Sequence, residues 1–184
     1  MGTTNNFDTD AATTVVAADT LPIISTLTGR GATATVLQML AGLGGVVNTT
    51  ATSLTITAAL HAGKTVTLSS AVPIAVVLPQ ATGTGLTYKF QVQVVATGTA
   101  HTIAVANATD VMQGIAYALT TSSDNVIGYH TTATSDTISL NGTTKGGVVG
   151  DIIEITDVKT GFFSVKLFTA PTGSYATPFS AAVP

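Results

Sequence analysis

The sequence contains no cysteine and no tryptophan. Without thiols it can build neither a disulfide framework nor a thiolate metal site. At 184 residues it is long enough to bury a core without such staples. Charge is also nearly missing. Only 8% of residues are charged, against about 25% in an ordinary soluble domain. The six basic residues are scattered and the net charge is −3. No basic cluster is present to displace counterions from a nucleic acid or to hold an anionic membrane. Neither partner is expected.

Long apolar runs are missing as well. Ala32–Val47 is too short to span a bilayer and is broken by Gly42, Gly44 and Gly45. Phe90–Thr109 is longer but is interrupted by polar residues in a strand-like pattern. Four Tyr and six Phe are too few for the aromatic girdles of an outer-membrane barrel. The opening MGTTNNFDTD lacks a basic region and an apolar stretch, so no secretory signal is expected.

What the chain has in quantity is threonine, about a fifth of all residues, followed by Ala, Gly and Val. Thr and Val are stiff at Cβ and favour the pleated sheet. A surface with little charge has little repulsion to keep copies apart, which suits a chain that lies against other chains.

Met1–Thr20 is polar, small and acidic and reads as an arm; Leu21–Leu27 adds an apolar patch kept out of helix by Pro22. Thr33–Leu43 predicts a short helix, with Val36, Leu37, Leu40 and Leu43 on one stripe and Gly44-Gly45 ending it. From Val46 onward, short strands recur about every ten residues. They are predicted at Ser53–Thr57, Lys64–Leu68, Ile74–Leu78, Leu86–Val95, His101–Ala106, Val111–Ala118, Asn125–Tyr129, Thr137–Leu140, Asp151–Asp157 and Phe162–Phe168. In the fourth of these, Leu86, Tyr88, Phe90, Val92 and Val94 share a dry face, with Thr87, Lys89, Gln91 and Gln93 on the wet one. Asn141-Gly142 is a short-turn signal. The fold class is therefore all-β: an antiparallel sandwich, jelly roll or partly open barrel, with an extended N-terminal arm and one short helix. No period of 20 to 50 residues recurs, which argues against a solenoid. The organisation expected is an arm with helix over 1–45, a β-domain over 46–170 and a Pro-rich C-terminal extension over 171–184. Tyr175 and Phe179 would anchor that extension.

No catalytic constellation stands out. A G-x-S-x-G elbow is absent, and His61, His101 and His130 sit at turns or strand ends, where surface or capping roles are the default. Asp151, Glu154 and Asp157 form the densest acidic cluster. On a strand the two aspartates point one way and Glu154 the other, which spoils a shared cation site and leaves surface carboxylates as the expectation. The glycine loops at Gly83–Gly85 and Lys145–Gly150 lack the strand-to-helix step of a phosphate cradle and read as turns. Sequons at Asn48, Asn107 and Asn141 are expected by chance in so Thr-rich a chain. Pairs such as Thr55/Thr57 and Thr65/Thr67 do not recur at a fixed repeat, which argues against an ice-binding ladder. No catalytic, metal or cofactor-binding residue is assigned, and no cofactor is expected.

One stretch carries a family resemblance. Gly63-Lys64 followed by Thr65-Val66-Thr67-Leu68, the Leu78-Pro79 strand end, Gly83–Gly85 and Tyr88-Lys89-Phe90 set the pattern. His101-Thr102-Ile103, Gln113-Gly114 and Asn125–Tyr129 continue it. Over Ser53–Tyr129 the chain resembles the capsid decoration (cement) proteins of tailed bacteriophages. The resemblance implies a non-enzymatic β-domain on the outer capsid of a virion, in contact with the major capsid protein and commonly trimeric. It also implies an N-terminal arm, here Met1–Leu27, that engages the shell. Two other functions compatible with the residues are a tail-tube or fibre subunit, and a carbohydrate-binding sandwich using Tyr117, Tyr129 or Tyr175.

Overall fold

A computed structural model describes residues 20–24, 31–35, 44–119 and 125–183. The chain divides into two compact units, residues 1–43 and 44–184. The first contains a hairpin of β1 (Thr20–Ile24) and β2 (Gly31–Thr35), antiparallel with Thr20 opposite Thr35. The segment expected as arm therefore holds a paired ladder from Thr20 onward. Thr33–Thr35, expected to open a helix, are strand residues; β-branched threonines facing a partner strand gain more from the ladder than from a lone helical turn. The rest of the expected helix, 36–43, and the start of the arm, 1–19, lie outside the described residues.

The second unit is nearly all β. Its strands are β3 (Val46–Thr49), β4 (Ser53–Thr55), β5 (Thr65–Leu68), β6 (Ala75–Val77), β7 (Thr87–Val92), β8 (His101–Ala104) and β9 (Val111–Leu119), then β10 (Val126–His130), β11 (Thr137–Leu140), β12 (Ile152–Lys159), β13 (Phe162–Thr169) and β14 (Phe179–Ser180). All ten predicted strands are present; β3 and β14 were not foreseen. One sheet has the order β10-β9-β13-β12-β7-β5-β3 and the other β14-β11-β8-β6-β4. They form a sandwich and not a closed barrel. A single turn of helix, α1 (Ala58–His61), is the only one among the described residues.

The sheets are mixed, and the reason lies in the path of the chain. From β3 to β8 every connection crosses to the other sheet, so each return to a sheet runs in the same direction as before. Hence β3, β5 and β7 are mutually parallel, and so are β4, β6 and β8. The expectation of an antiparallel sandwich took successive strands as hairpin partners. The chain instead rolls through coils here, although a solenoid was not expected. Between paired residues the coil grows from 19 residues (Val46 to Thr65) to 22 (Ser53 to Ala75), 24 (Thr65 to Lys89) and 27 (Ala75 to Thr102). A period that lengthens at each step leaves no fixed repeat to detect. Antiparallel hairpins follow: β9 with β10, and β12 with β13.

The core is one apolar cluster shared by both sheets. Val66, Leu68, Tyr88, Phe90, Ile153, Ile155, Phe163 and Val165 come from the larger sheet; Val76, Ile103, Ile138 and Leu140 come from the smaller. Alternation does the sorting: Tyr88, Phe90 and Val92 are buried while Lys89 is exposed. Burying side chains of this size contributes about 1.5–3 kcal/mol each before entropy is counted. The C-terminal extension belongs to this unit. Phe179 is buried, and β14 pairs with β11 at the edge of the smaller sheet, where a Pro-flanked strand is tolerated.

Gly114 marks the tightest approach in the larger sheet. A Cβ at this position would run into the Val165 backbone, its carbonyl oxygen first, across the parallel β9–β13 pair. Gly128, by contrast, faces open space. Gly114→Ala is expected to cost more than about 3 kcal/mol in urea unfolding, and Gly128→Ala less than about 0.5 kcal/mol.

Candidate functional site

All four aspartates among the described residues are buried: Asp110, Asp136, Asp151 and Asp157 are between 2% and 6% exposed. Surface carboxylates were expected at 151 and 157. Both instead cap the dry face of the β12 segment that carries Ile153 and Ile155, while Glu154 is on the wet face as expected. A buried carboxylate needs hydrogen bonds or a counter-ion. Among the described residues the only ion pairs are those of Glu154, with Lys89 at 3.9 Å and Lys166 at 3.6 Å. The aspartates are satisfied by backbone amides.

Asp157 gathers three successive N–H groups. Gly83 donates at 2.7 Å, Thr84 at 3.0 Å and Thr82 at 3.1 Å, and the Thr84 hydroxyl donates at 2.7 Å. The Gly83–Gly85 loop is thus a turn, as expected, but one folded around an anion supplied by its own chain. Asp151 accepts from Gly147 at 2.7 Å, Val148 at 3.2 Å and Ala170 at 2.9 Å, tying the Lys145–Gly150 loop to the end of β13. Asp136 holds the tail through Ala182 at 2.8 Å and Val183 at 3.3 Å. Asp110 accepts from Ala81 at 2.9 Å.

These settings act differently on protonation. Burial pushes the Asp157 carboxyl up, but the Thr84 amide and hydroxyl, with the Gly83 and Thr82 amides, outweigh it and hold the group below its ordinary value. At Asp151 burial wins over the amides of Gly147, Ala170 and Val148, and the carboxyl is raised. Tyr88 is raised by burial and by the nearby Asp157 charge.

The histidines are structural in two cases. His61 Nδ1 accepts the Thr57 N–H at 3.0 Å, a capping role as expected. His101 is wholly buried rather than at the surface: Nδ1 accepts the Ile74 N–H at 3.0 Å, which leaves Nε2–H to donate to Val94 O at 3.1 Å. His130 is exposed. Among the described residues no three His, Asp or Glu side chains gather into a metal site.

What the larger sheet does offer is an apolar surface. On its outer face Tyr117, Leu119, Val126 and Phe168 are 40–57% exposed and surround a hollow of about 350 Å³. Gly128 lies opposite Tyr117 across the β9–β10 ladder and supplies no side chain to cover it. Tyr117 and Phe168 are direct cross-strand neighbours with rings stacked at 5.7 Å, and Ile115 and Ile152 extend the patch. The sequence marks β9 and β13 as strands, but the apolar set on their outer face was not recognised. Its signal was present in Ile115, Tyr117 and Leu119 at a spacing of two. Of the three tyrosines considered for sugar stacking, Tyr117 belongs to this patch. Tyr129 points to the inner side and neighbours Tyr175, whose phenol helps raise its own, after burial.

Comparison with protein-family models, curated proteins and solved structures finds no match.

The carboxylates give opposite pH signatures. Asp157, lowered on folding, stabilises above the ordinary carboxylate range, and that stability is lost as pH falls through its depressed value. Asp157→Asn is expected to cost about 2–3 kcal/mol near pH 7, in a gap to wild type that narrows below about pH 4. Asp151, raised on folding, contributes most at acid pH and less as pH rises through its raised value, so the Asp151→Asn gap should narrow toward neutrality. Urea unfolding across pH checks both slopes.

Proposed function

We propose that the chain is a non-enzymatic structural protein of a tailed-bacteriophage virion. It sits on the outer capsid against the major capsid protein and against sister copies, as a trimer. The resemblance over Ser53–Tyr129 supplies the family of functions, and the observation that carries the reading is the exposed patch of Tyr117, Leu119, Val126 and Phe168. Contiguous apolar area of this kind on a β face marks a contact surface. Aromatic anchors at the centre of an interface provide most of its binding energy.

The sparse charge fits the same use. With four aspartates buried, the outer face of the larger sheet presents its charges mainly as the Lys89–Glu154–Lys166 row. Little has to be desolvated when this face is covered. A protein that binds only the assembled shell stabilises it by mass action, by about 4 kcal/mol per site at a free concentration a thousand times Kd. A face of about 800 Å² per partner suffices for such binding.

Sedimentation equilibrium is expected to return three times the 18.4 kDa chain mass. The Tyr117→Ser, Phe168→Ser double variant, with both changes at exposed positions, should weaken self-association or capsid co-sedimentation at least tenfold while leaving the melting temperature within a few degrees. A monomeric wild-type chain that ignores capsids would overturn the reading. Rods or rings in negative stain would favour a tail component instead.

A further inference from the structure

The sandwich is open between its two C-terminal edge strands. β10 ends the larger sheet and β14 ends the smaller, and between them lies a cleft of about 420 Å³. That volume is in the range of small-molecule sites, about 300–1,000 Å³. Tyr129, His130, Thr132, Ser135, Thr177 and Phe179 line it. We infer that this cleft binds a neutral sugar, one or two pyranose rings, by stacking on Tyr129 and hydrogen bonding to the hydroxyls around it.

The chemistry of the lining selects this ligand class. Its side chains carry no lysine, arginine, aspartate or glutamate, so a charged ligand finds no counter-ion and would be desolvated at a cost. Its polar side-chain groups are hydroxyls and a phenol, which can each meet a sugar hydroxyl as donor or acceptor. Ser135 Oγ accepts the Thr132 N–H at 2.9 Å and lies 3.1 Å from Thr132 Oγ1, so both hydroxyls are held in place before a ligand arrives. Thr177 Oγ1 accepts the Phe179 N–H at 3.2 Å and keeps its own proton to donate. Tyr129 packs partly against the core, so its ring is fixed on one side.

The site is independent of the apolar patch. Asp136 supports it from below by accepting the Ala182 and Val183 amides, which fixes the tail strand that forms one wall.

The test is a ¹H–¹⁵N titration of the full chain with glucose, galactose, mannose and N-acetylglucosamine and their short neutral oligomers, beside sialic acid as a charged probe. At least one neutral sugar should shift amides of residues 128–132 and 175–181 selectively, with Kd of about 1 mM or tighter, and sialic acid should not. Thr177→Val, at an exposed position, and Tyr129→Leu, which keeps apolar packing, should each weaken binding about tenfold. The Tyr117→Ser, Phe168→Ser double variant should leave it unchanged. No shifts with any neutral sugar would overturn the inference, as would shifts centred on Tyr117 and Phe168 or binding indifferent to Thr177→Val and Tyr129→Leu. Because Thr177→Val leaves the outer face intact, loss of sugar binding without loss of self-association separates this inference from the virion reading.

Discussion

The buried aspartate bonded to backbone amides is the interaction on which the arrangement of this chain most depends. A sandwich whose chain crosses between sheets at every step from β3 to β8 creates many loops, and loop amides near the core have no ladder to join. Disulfides are not available to hold them, and ion pairs are few. Asp110, Asp136, Asp151 and Asp157 meet that need with nine backbone N–H groups drawn from the segments around 81–84, 147–148, 170 and 182–183. A charged acceptor makes each such bond stronger than a neutral one. The opposed protonation shifts of Asp151 and Asp157 follow from the balance of burial against donors: burial outweighs three amides at Asp151, and four donors outweigh burial at Asp157.

This use of acid has a consequence for the surface. Composition already shows few charges, and the structure withdraws four of the nine acidic residues into the interior. What remains on the outer face of the larger sheet is one short charged row beside an apolar patch. The patch and the aspartates are thus linked: fixed loops keep the sheet edges in place, and the sheet holds Tyr117 over Phe168. A surface of this composition suits a protein that spends its working life covered, as a virion component would.

The strands were legible because period-two alternation survives in single segments such as 87–92, where the two faces differ sharply. The order of those strands was not. Whether consecutive strands pair or cross to the opposite sheet depends on loops whose lengths carry no rule, and the lengthening coil hid the one regularity there was. Thr33–Thr35 misled because stripe and propensity compete in a three-residue stretch, and a partner strand at Thr20–Pro22 decides the matter. Asp151 and Asp157 were placed on the correct face by parity. Their burial was not foreseen, because an aspartate at a strand end is usually solvated and only the neighbouring glycine turns hint otherwise. The cleft beside Tyr129 depends on β14, a two-residue strand that no sequence pattern announces.

Native-state amide hydrogen exchange at the aspartate-bound loop positions tests the central claim most directly. If the carboxylates hold these loops, Gly83, Thr84, Gly147 and Ala170 should exchange at least a thousandfold more slowly than free peptide amides, approaching the protection of the β7 and β12 ladders, although none belongs to a ladder. Exchange of these amides at free-peptide rates, beside protected ladders, would contradict it.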